Sequence, residues 1–413
     1  MSYDVRRVRS FFPALEDRTA FFDGPGGSQV PQPVAAAVAS TLTSGISNRG
    51  HVTQSARRAE LVVSAAREAV GDLLATDPGG VVFGRSMTQL TFDAARTLSA
   101  SWRDGDEVVV TRLDHDANIR PWVYAAEARG ARVRWVEIDV DTGELAEESL
   151  AAAVNERTRL VAVTGASNLI GTRPDVAAIS AAARSVGALT FVDGVHLSAH
   201  VLPDRVEMGA DIFVCSPYKF LGPHCGVLAA SPELLRTLHP QKLLPSQDVV
   251  PERFELGTLP YELLAGTTAA VEFLAQLDPA ASGSRRERLL ASYRGLEQHE
   301  TGLRHKLESG LADLGARVHS RAASRTPTLL FDLPGIAADQ LQHRLAEADV
   351  NAPAGSFYAL EASRALGLGD DGAVRVGLAP YTDDEDVDRL LEALQAAAER
   401  AGGARRRVAA PAD

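Results

Sequence analysis

Two cysteines, Cys215 and Cys225, are all that 413 residues contain. So few thiols exclude a disulfide framework and suit a reducing compartment. No uncharged apolar run approaches the roughly 20 residues that span a bilayer, and the opening MSYDVRRVRS lacks the long apolar segment of a secretory signal. The expectation is a cytoplasmic protein with no membrane partner. Stripes of Lys and Arg interleaved with aromatics are missing too, and the formal net charge is −12, so nucleic acid is not an expected partner. There is no internal repeat, no low-complexity linker and no metal site to expect.

What is present suffices for two domains, because single cores stop growing at roughly 250–300 residues. Apolar, β-branched runs at 80–83, 107–111, 132–138, 159–164, 189–192, 211–215 and 226–230 read as strands. Helix-period segments at 88–101, 117–129, 146–154 and 174–186 lie between most of them. Strands apolar throughout are expected where helices cover both faces of a sheet. The alternation predicts an α/β protein with a mainly parallel, seven-stranded sheet built of right-handed crossovers. A Pro- and Gly-bearing turn joins 211–215 to 226–230, which allows one of those strands to run antiparallel. Beyond about 265 the pattern changes to a long charged helix (283–315), short strands near 316–319, 327–332 and 372–376, and helices at 337–348 and 383–401. The expected division is a large domain over 17–265, a smaller α+β domain from 1–16 and 266–401, and a flexible tail over 402–413.

Five segments carry chemistry-bearing residues at strand ends. In DIFVCSPYKFLGPHCG, Lys219 follows a strand and a Ser-Pro turn, flanked by Tyr218, Phe220 and Leu221. Apolar surroundings depress an amine's pKa, and a neutral amine forms an imine with an aldehyde; a snorkelling surface lysine is the plain alternative. In LTFVDGVH, Asp193 ends a strand where doubly wound sheets open their ligand crevice. There a carboxylate can pair with a protonated pyridine nitrogen, or merely cap the next helix. In VFGRSMTQLT a strand meets a helix at Ser86-Met87-Thr88, a phosphate cradle or an ordinary N-cap. His115 in LDHDANIRPW can stack on a planar ring and move protons, although loop histidines are commonly just surface residues. Asn168 in TGASNLIGT can donate to a ring oxygen or serve turn chemistry.

Together these segments resemble the class V aminotransferase family, in its cysteine-desulfurase-like branch, over nearly the whole chain. SPYKFLGPHCG resembles its Lys-bearing Ser-x-His-Lys-x-x-Gly-Pro motif, with Tyr218 in place of His. The resemblance implies a fold type I enzyme with pyridoxal 5'-phosphate held by Lys219, its ring nitrogen paired with Asp193 and its face against His115. VDGVH resembles Val-Asp-Gly-Ala-Gln and puts His196 where glutamine stands beside the phenolic oxygen, near Asn168. RSMTQ resembles Arg-Gly-Thr-Thr-Glu, implying Met87, Thr88 and Ser216 as phosphate ligands. FELGT resembles Glu-x-Gly-Thr, so Thr258 is expected to reach the phosphate of a neighbouring subunit in a homodimer with shared sites. VRVGL resembles a Val-Arg-x-Ser segment and makes Arg375 the clamp for a substrate carboxylate; a salt bridge to the acidic run Asp383–Asp386 is its alternative.

The departure is a missing thiol. Desulfurases carry a loop cysteine that takes the substrate's sulfur, but here the stretch reads Gly355-Ser356-Phe357-Tyr358-Ala359. A persulfide needs a thiolate nucleophile, and Cys215 and Cys225 read as small core residues. The expectation is a carbon–sulfur β-eliminating lyase acting on an amino acid, with Lys219 as base and His115 or Tyr358 as proton donor. Transamination, epimerisation and a non-catalytic scaffold are the alternatives.

Overall fold

The computed structural model describes residues 3–408. Seven strands form the main sheet: β1 (Val81–Gly84), β2 (Glu107–Thr111), β3 (Arg132–Val136), β4 (Thr158–Thr164), β5 (Leu189–Asp193), β6 (Ile212–Cys215) and β7 (Gly226–Ala230). Their order is β1-β7-β6-β5-β4-β2-β3. Only β7 runs against its neighbours, pairing antiparallel with both β1 and β6. This fold type I sheet therefore sends the carboxyl ends of six strands to one edge. Successive side chains of a strand face opposite ways, and the two cores divide accordingly. Val81, Phe83, Val161 and Val163 pack on one face, while Val82, Leu160 and Ala162 pack on the other.

Helices α1 (Gln32–Thr43) and α2 (Gln54–Leu74) precede the sheet, and α3 (Met87–Leu98), α4 (Arg120–Arg129) and α5 (Val176–Ser185) lie within it in sequence. The sequence reading places no element before residue 80, so α1 and α2 were missed. The run expected at 132–138 breaks at Val136, and Ile138–Asp139 pairs instead with Glu144–Leu145. After β7 come α6 (Tyr261–Ala275) and the 29-residue α7 (Arg285–Asp313), whose start is a capping box between Ser284 and Glu287.

A second, antiparallel sheet holds β8 (Arg317–Val318), β9 (Thr328–Asp332), β10 (Ala354–Gly355) and β11 (Ala373–Gly377) in the order β8-β9-β11-β10. Its core includes Phe331, Val374 and Val376, packed with α8 (Ala338–Ala346) and α9 (Asp384–Val408). The expected boundary at 265 falls inside α6, whose Leu264, Val271 and Leu274 join the first core, as do Leu289 and Leu296 of α7. Near the start, Val8 and Phe12 pack in the first core while Ala20 and Phe22 pack in the second. The expected tail at 402–413 runs through the last residues of α9 to 408 and then outside the described residues. Among the described residues, no helix is long and apolar enough to cross a membrane.

Candidate active site

A cavity of about 700 Å³ opens at the carboxyl edge of the main sheet. Met87, Thr88, His115, Asn168, Asp193, His196, Ser216, Lys219, Tyr358 and Arg375 all line it. Ten of the eleven residues singled out from sequence thus converge. Thr258 does not: it lines a separate cavity of about 600 Å³ with Arg85, His224 and Cys225.

Lys219 ends a short 3-10 turn, Pro217–Lys219, that follows β6. Its Nζ donates to the Pro25 carbonyl oxygen and stands 4.8 Å from the centre of the Tyr218 ring. Burial first, and the Arg375 cation second, push its pKa down to about 7, against the pull of Asp193 and Asp23. A substantial fraction is therefore a neutral amine at physiological pH. Asp193 ends β5, fully enclosed, and its Oδ1 accepts only the Val195 N–H, at 3.0 Å. Burial raises its pKa to about 7. Gly194 follows because nothing larger fits: a Cβ there would lie 1.8 Å from the Phe213 ring. That close approach fixes the turn which aims Asp193 into the cavity.

The N-terminus of α3 opens onto the cavity. Ser86 caps the helix by accepting from Gln89 N–H, which leaves the Met87 and Thr88 N–H groups without intrahelical partners. Gly226 of β7 permits this approach, since a Cβ there would stand 2.6 Å from Met87 N. His115 sits between β2 and α4, in a loop pinned from below. Asn118 donates to the buried Asp114 and accepts from Trp122 Nε1–H. The Nδ1 of His115 accepts from Ala117 N–H at 3.0 Å, so its proton resides on Nε2. Burial, then Lys219 and Arg375, hold the imidazole's pKa down at about 4.

Arg375 lies on β11, 2% exposed. Its Nη1 donates to the Asn168 carbonyl oxygen at 2.9 Å, and the guanidinium lies 3.6 Å from the centre of the Phe357 ring. Its Nε is buried without a partner, leaving the Nε–Nη2 edge available to a carboxylate. The acidic run Asp383–Asp386 pairs not with Arg375 but with Arg9, through Asp383 and Asp386. Asn168 donates one side-chain N–H to Phe357 O at 2.9 Å, and its Oδ1 is unpartnered. Tyr358 stacks on His115 with centroids 5.5 Å apart, yet is 77% exposed. Pro25 and Asp23 were given no role in the sequence reading, and Phe357 was read only as part of the loop that lacks a cysteine. Asp23 is partly buried, with an enclosed, unpartnered Oδ1, and acts electrostatically on both Lys219 and Arg375. The Gly-Pro-Gly-Gly run at 24–27 was the available signal.

These features fit pyridoxal phosphate. Buried polar atoms of Asn168, His196 and Arg375 lack partners around the cavity, and such groups require some compensation. Asp193 is placed to meet a ring nitrogen, and the helix start is placed for a phosphate.

The chain is similar to known proteins over most of its length. The family model described as Aminotransferase class-V matches residues 20–390. An uncharacterized protein of Mycobacterium tuberculosis is 37% identical over 398 residues, covering 95% of this chain and 99% of its own length. The aminotransferase-like protein FGM3 of Gibberella zeae is 30% identical over 411 residues, covering 95% and 98%. The crystal structure of the Escherichia coli cysteine desulfurase CsdA superposes with a TM-score of 0.82 at 28% identity, covering 97% of this chain and 99% of that one.

Proposed function

The chain belongs to the class V aminotransferase family, on its cysteine-desulfurase-like branch, and is a pyridoxal-phosphate-dependent enzyme; from that premise we propose that it is a carbon–sulfur β-eliminating lyase that forms no enzyme persulfide. One observation carries the reading. Lys219, Asp193 and Arg375 share a cavity whose facing loop offers Phe357 and Tyr358, while the two cysteines are buried at 0% and 2% exposure. Burial raises both thiols, Cys225 to about 11 and Cys215 further still, so neither is a nucleophile at neutral pH.

The cofactor, when bound, supplies an electron sink for the pair released at Cα. Arg375 binds the substrate carboxylate through its free edge. Lys219 takes the α-proton on Nζ, and Asp193 holds a proton at the ring nitrogen. The Cβ–S bond then breaks with both electrons leaving on sulfur, and the Tyr358 phenol, or the Lys219 ammonium formed by taking the α-proton, provides the proton that yields a thiol. The neutral His115, which would be left an imidazolate, does not serve as that donor. The remaining aminoacrylate hydrolyses to pyruvate and ammonia. Met87, Thr88 and Ser216 hold the phosphate, with His196 and Asn168 at the ring oxygen. Thr258, outside this cavity, serves a partner's phosphate in a homodimer. We place the enzyme in the cytoplasm, and the boundary between its large and small domains within α7, where Leu289 and Leu296 pack in the first core and Leu303 and Leu307 in the second.

Purified enzyme with pyridoxal phosphate and amino acids carrying β-thio substituents is expected to release pyruvate and thiol in equal amounts. Pyridoxamine phosphate without pyruvate, or an inverted amino acid, would replace the lyase reading with transamination or epimerisation. A protein that takes up no cofactor would end it.

A further inference from the structure

His196 is held by two hydroxyls from the second sheet. Its Nε2 stands 2.9 Å from Thr328 Oγ1 and 3.0 Å from Thr326 Oγ1. Its Nδ1 is buried, unpartnered, and on the ring that lines the cavity. Thr326 and Thr328 are at most 2% exposed, so the hydroxyl protons must find protein acceptors. Thr326 has one, the Gly171 carbonyl oxygen at 3.3 Å. Apart from His196, Thr328 Oγ1 has only Thr326 Oγ1, at 3.5 Å.

Two tautomers are open to a neutral imidazole. With the proton on Nε2, the Thr328 hydroxyl loses its close acceptor and the cavity faces a lone pair. With the proton on Nδ1, Thr328 donates to Nε2 at 2.9 Å, Thr326 turns to Gly171, and the cavity faces an N–H. The groups facing His196 are His200, whose Nδ1 meets Glu300 at 3.0 Å, together with Arg375 and Lys219. The cations oppose an imidazolium, and the neutral ring is the relevant species.

We infer that Thr328, assisted by Thr326, is a positioning residue that sets the His196 tautomer, so that Nδ1–H donates to the phenolic oxygen of the bound cofactor. This rests on the pyridoxal-phosphate reading of the cavity and adds what the glutamine-to-histidine replacement requires: a histidine has one donor nitrogen when neutral, and something must choose it. The hydroxyls that choose lie on β9 or just before it. Its neighbour β11 carries Arg375, in register with Leu330. One small sheet thereby orients both the substrate carboxylate and the ring-oxygen donor.

Nitrogen-15 NMR of the histidine rings in the cofactor-free enzyme reads the tautomer directly. The expected spectrum has His196, assigned with His196→Gln, protonated on Nδ1; protonation on Nε2 in the parent enzyme overturns the inference. In the loaded enzyme, a donor to the anionic ring oxygen drains charge that would otherwise favour protonation of the lysine-linked nitrogen. Thr328→Val is therefore expected to move the midpoint of the visible-band pH titration upward by roughly one unit, and Thr328→Ser to restore it. Equal midpoints in all three, with normal cofactor uptake, sink the clamp and leave the cofactor reading intact. Absent uptake by the parent enzyme sinks the cofactor reading, and the ring-oxygen role with it, whatever the tautomer.

Discussion

Lys219, Asp193 and His115 stand at or just past the ends of strands in the seven-stranded sheet, whereas Phe357 and Tyr358 face them from a loop of the second sheet. The first three are enclosed by packed side chains and their ionisation is strongly displaced. The facing pair have φ of 53° and 58°, a region that side-chain-bearing residues rarely adopt. Such strain persists only where surroundings over-determine it. Here the ties cross the cavity: Asn168 donates to Phe357 O, Asp116 N–H donates to Tyr358 O at 2.7 Å, and Glu361 pairs with Arg112 and Arg120. One wall is built to hold reactive groups in unfavourable protonation states. The other lies across the cavity from it, held in a strained backbone by those ties.

Changes to the first wall should cost the most. Lys219→Ala is expected to lower kcat by about 10³-fold, within the range for a lost general base, and to abolish the visible band after loading with cofactor. A variant that keeps the band and the rate would remove the amine from the chemistry. Arg375 joins the two walls. Arg375→Gln is expected to reduce kcat/KM by roughly 10- to 100-fold, the worth of charge-assisted bonds to a carboxylate; steady-state kinetics showing less than a twofold change would free the arginine from the substrate. Phe357→Ala touches only the covering wall. Loss of a cation–π contact worth about 0.5–1 kcal/mol should raise KM about threefold and leave kcat alone. A fall in kcat instead would make the loop part of the reaction step.

The fixed wall was the legible one. Asp193 and Lys219 stand out in sequence because each interrupts an apolar run at a strand end, and six strand ends share one edge. The covering wall depends on contacts that have no local pattern. Lys219 meets Pro25 across 194 positions, and Asn168 meets Phe357 across 189. Phe357 over Arg375, and Thr326 with Thr328 around His196, arise only when two sheets close on each other. The early helices α1 and α2 escaped for a different reason. The one strand before 80 among the described residues, Ala20–Phe21, is only two residues long and pairs with distant Val350–Asn351, and α1, the segment QPVAAAVASTLT, has a single buried side chain, Val34.

The displaced ionisations also predict a stability signature in the cofactor-free enzyme, the smallest effect expected. Asp193 is raised from 3.8 to about 7 and the buried Asp114 to about 8. Between pH 4 and 7 the native state therefore binds protons that the unfolded state has lost, and stability falls as pH rises. Lys219 is lowered from 10.5 to about 7. From pH 7 to 10.5 the unfolded state holds the extra proton, and stability recovers. The three groups together place a minimum near pH 7–8. Asp193→Asn removes the acid-side slope of its own carboxyl. Its melting temperature should exceed the parent's by on the order of 2 °C at pH 7.5, for roughly 1 kcal/mol, and converge on it as pH falls below 3.8, where Asp193 becomes protonated in both states. Lys219→Met should mirror this, with a gain at pH 7 that vanishes toward pH 10.5. Fluorimetric melts giving the same difference at both ends of the range would mean that ordinary packing, not buried ionisation, separates the two walls.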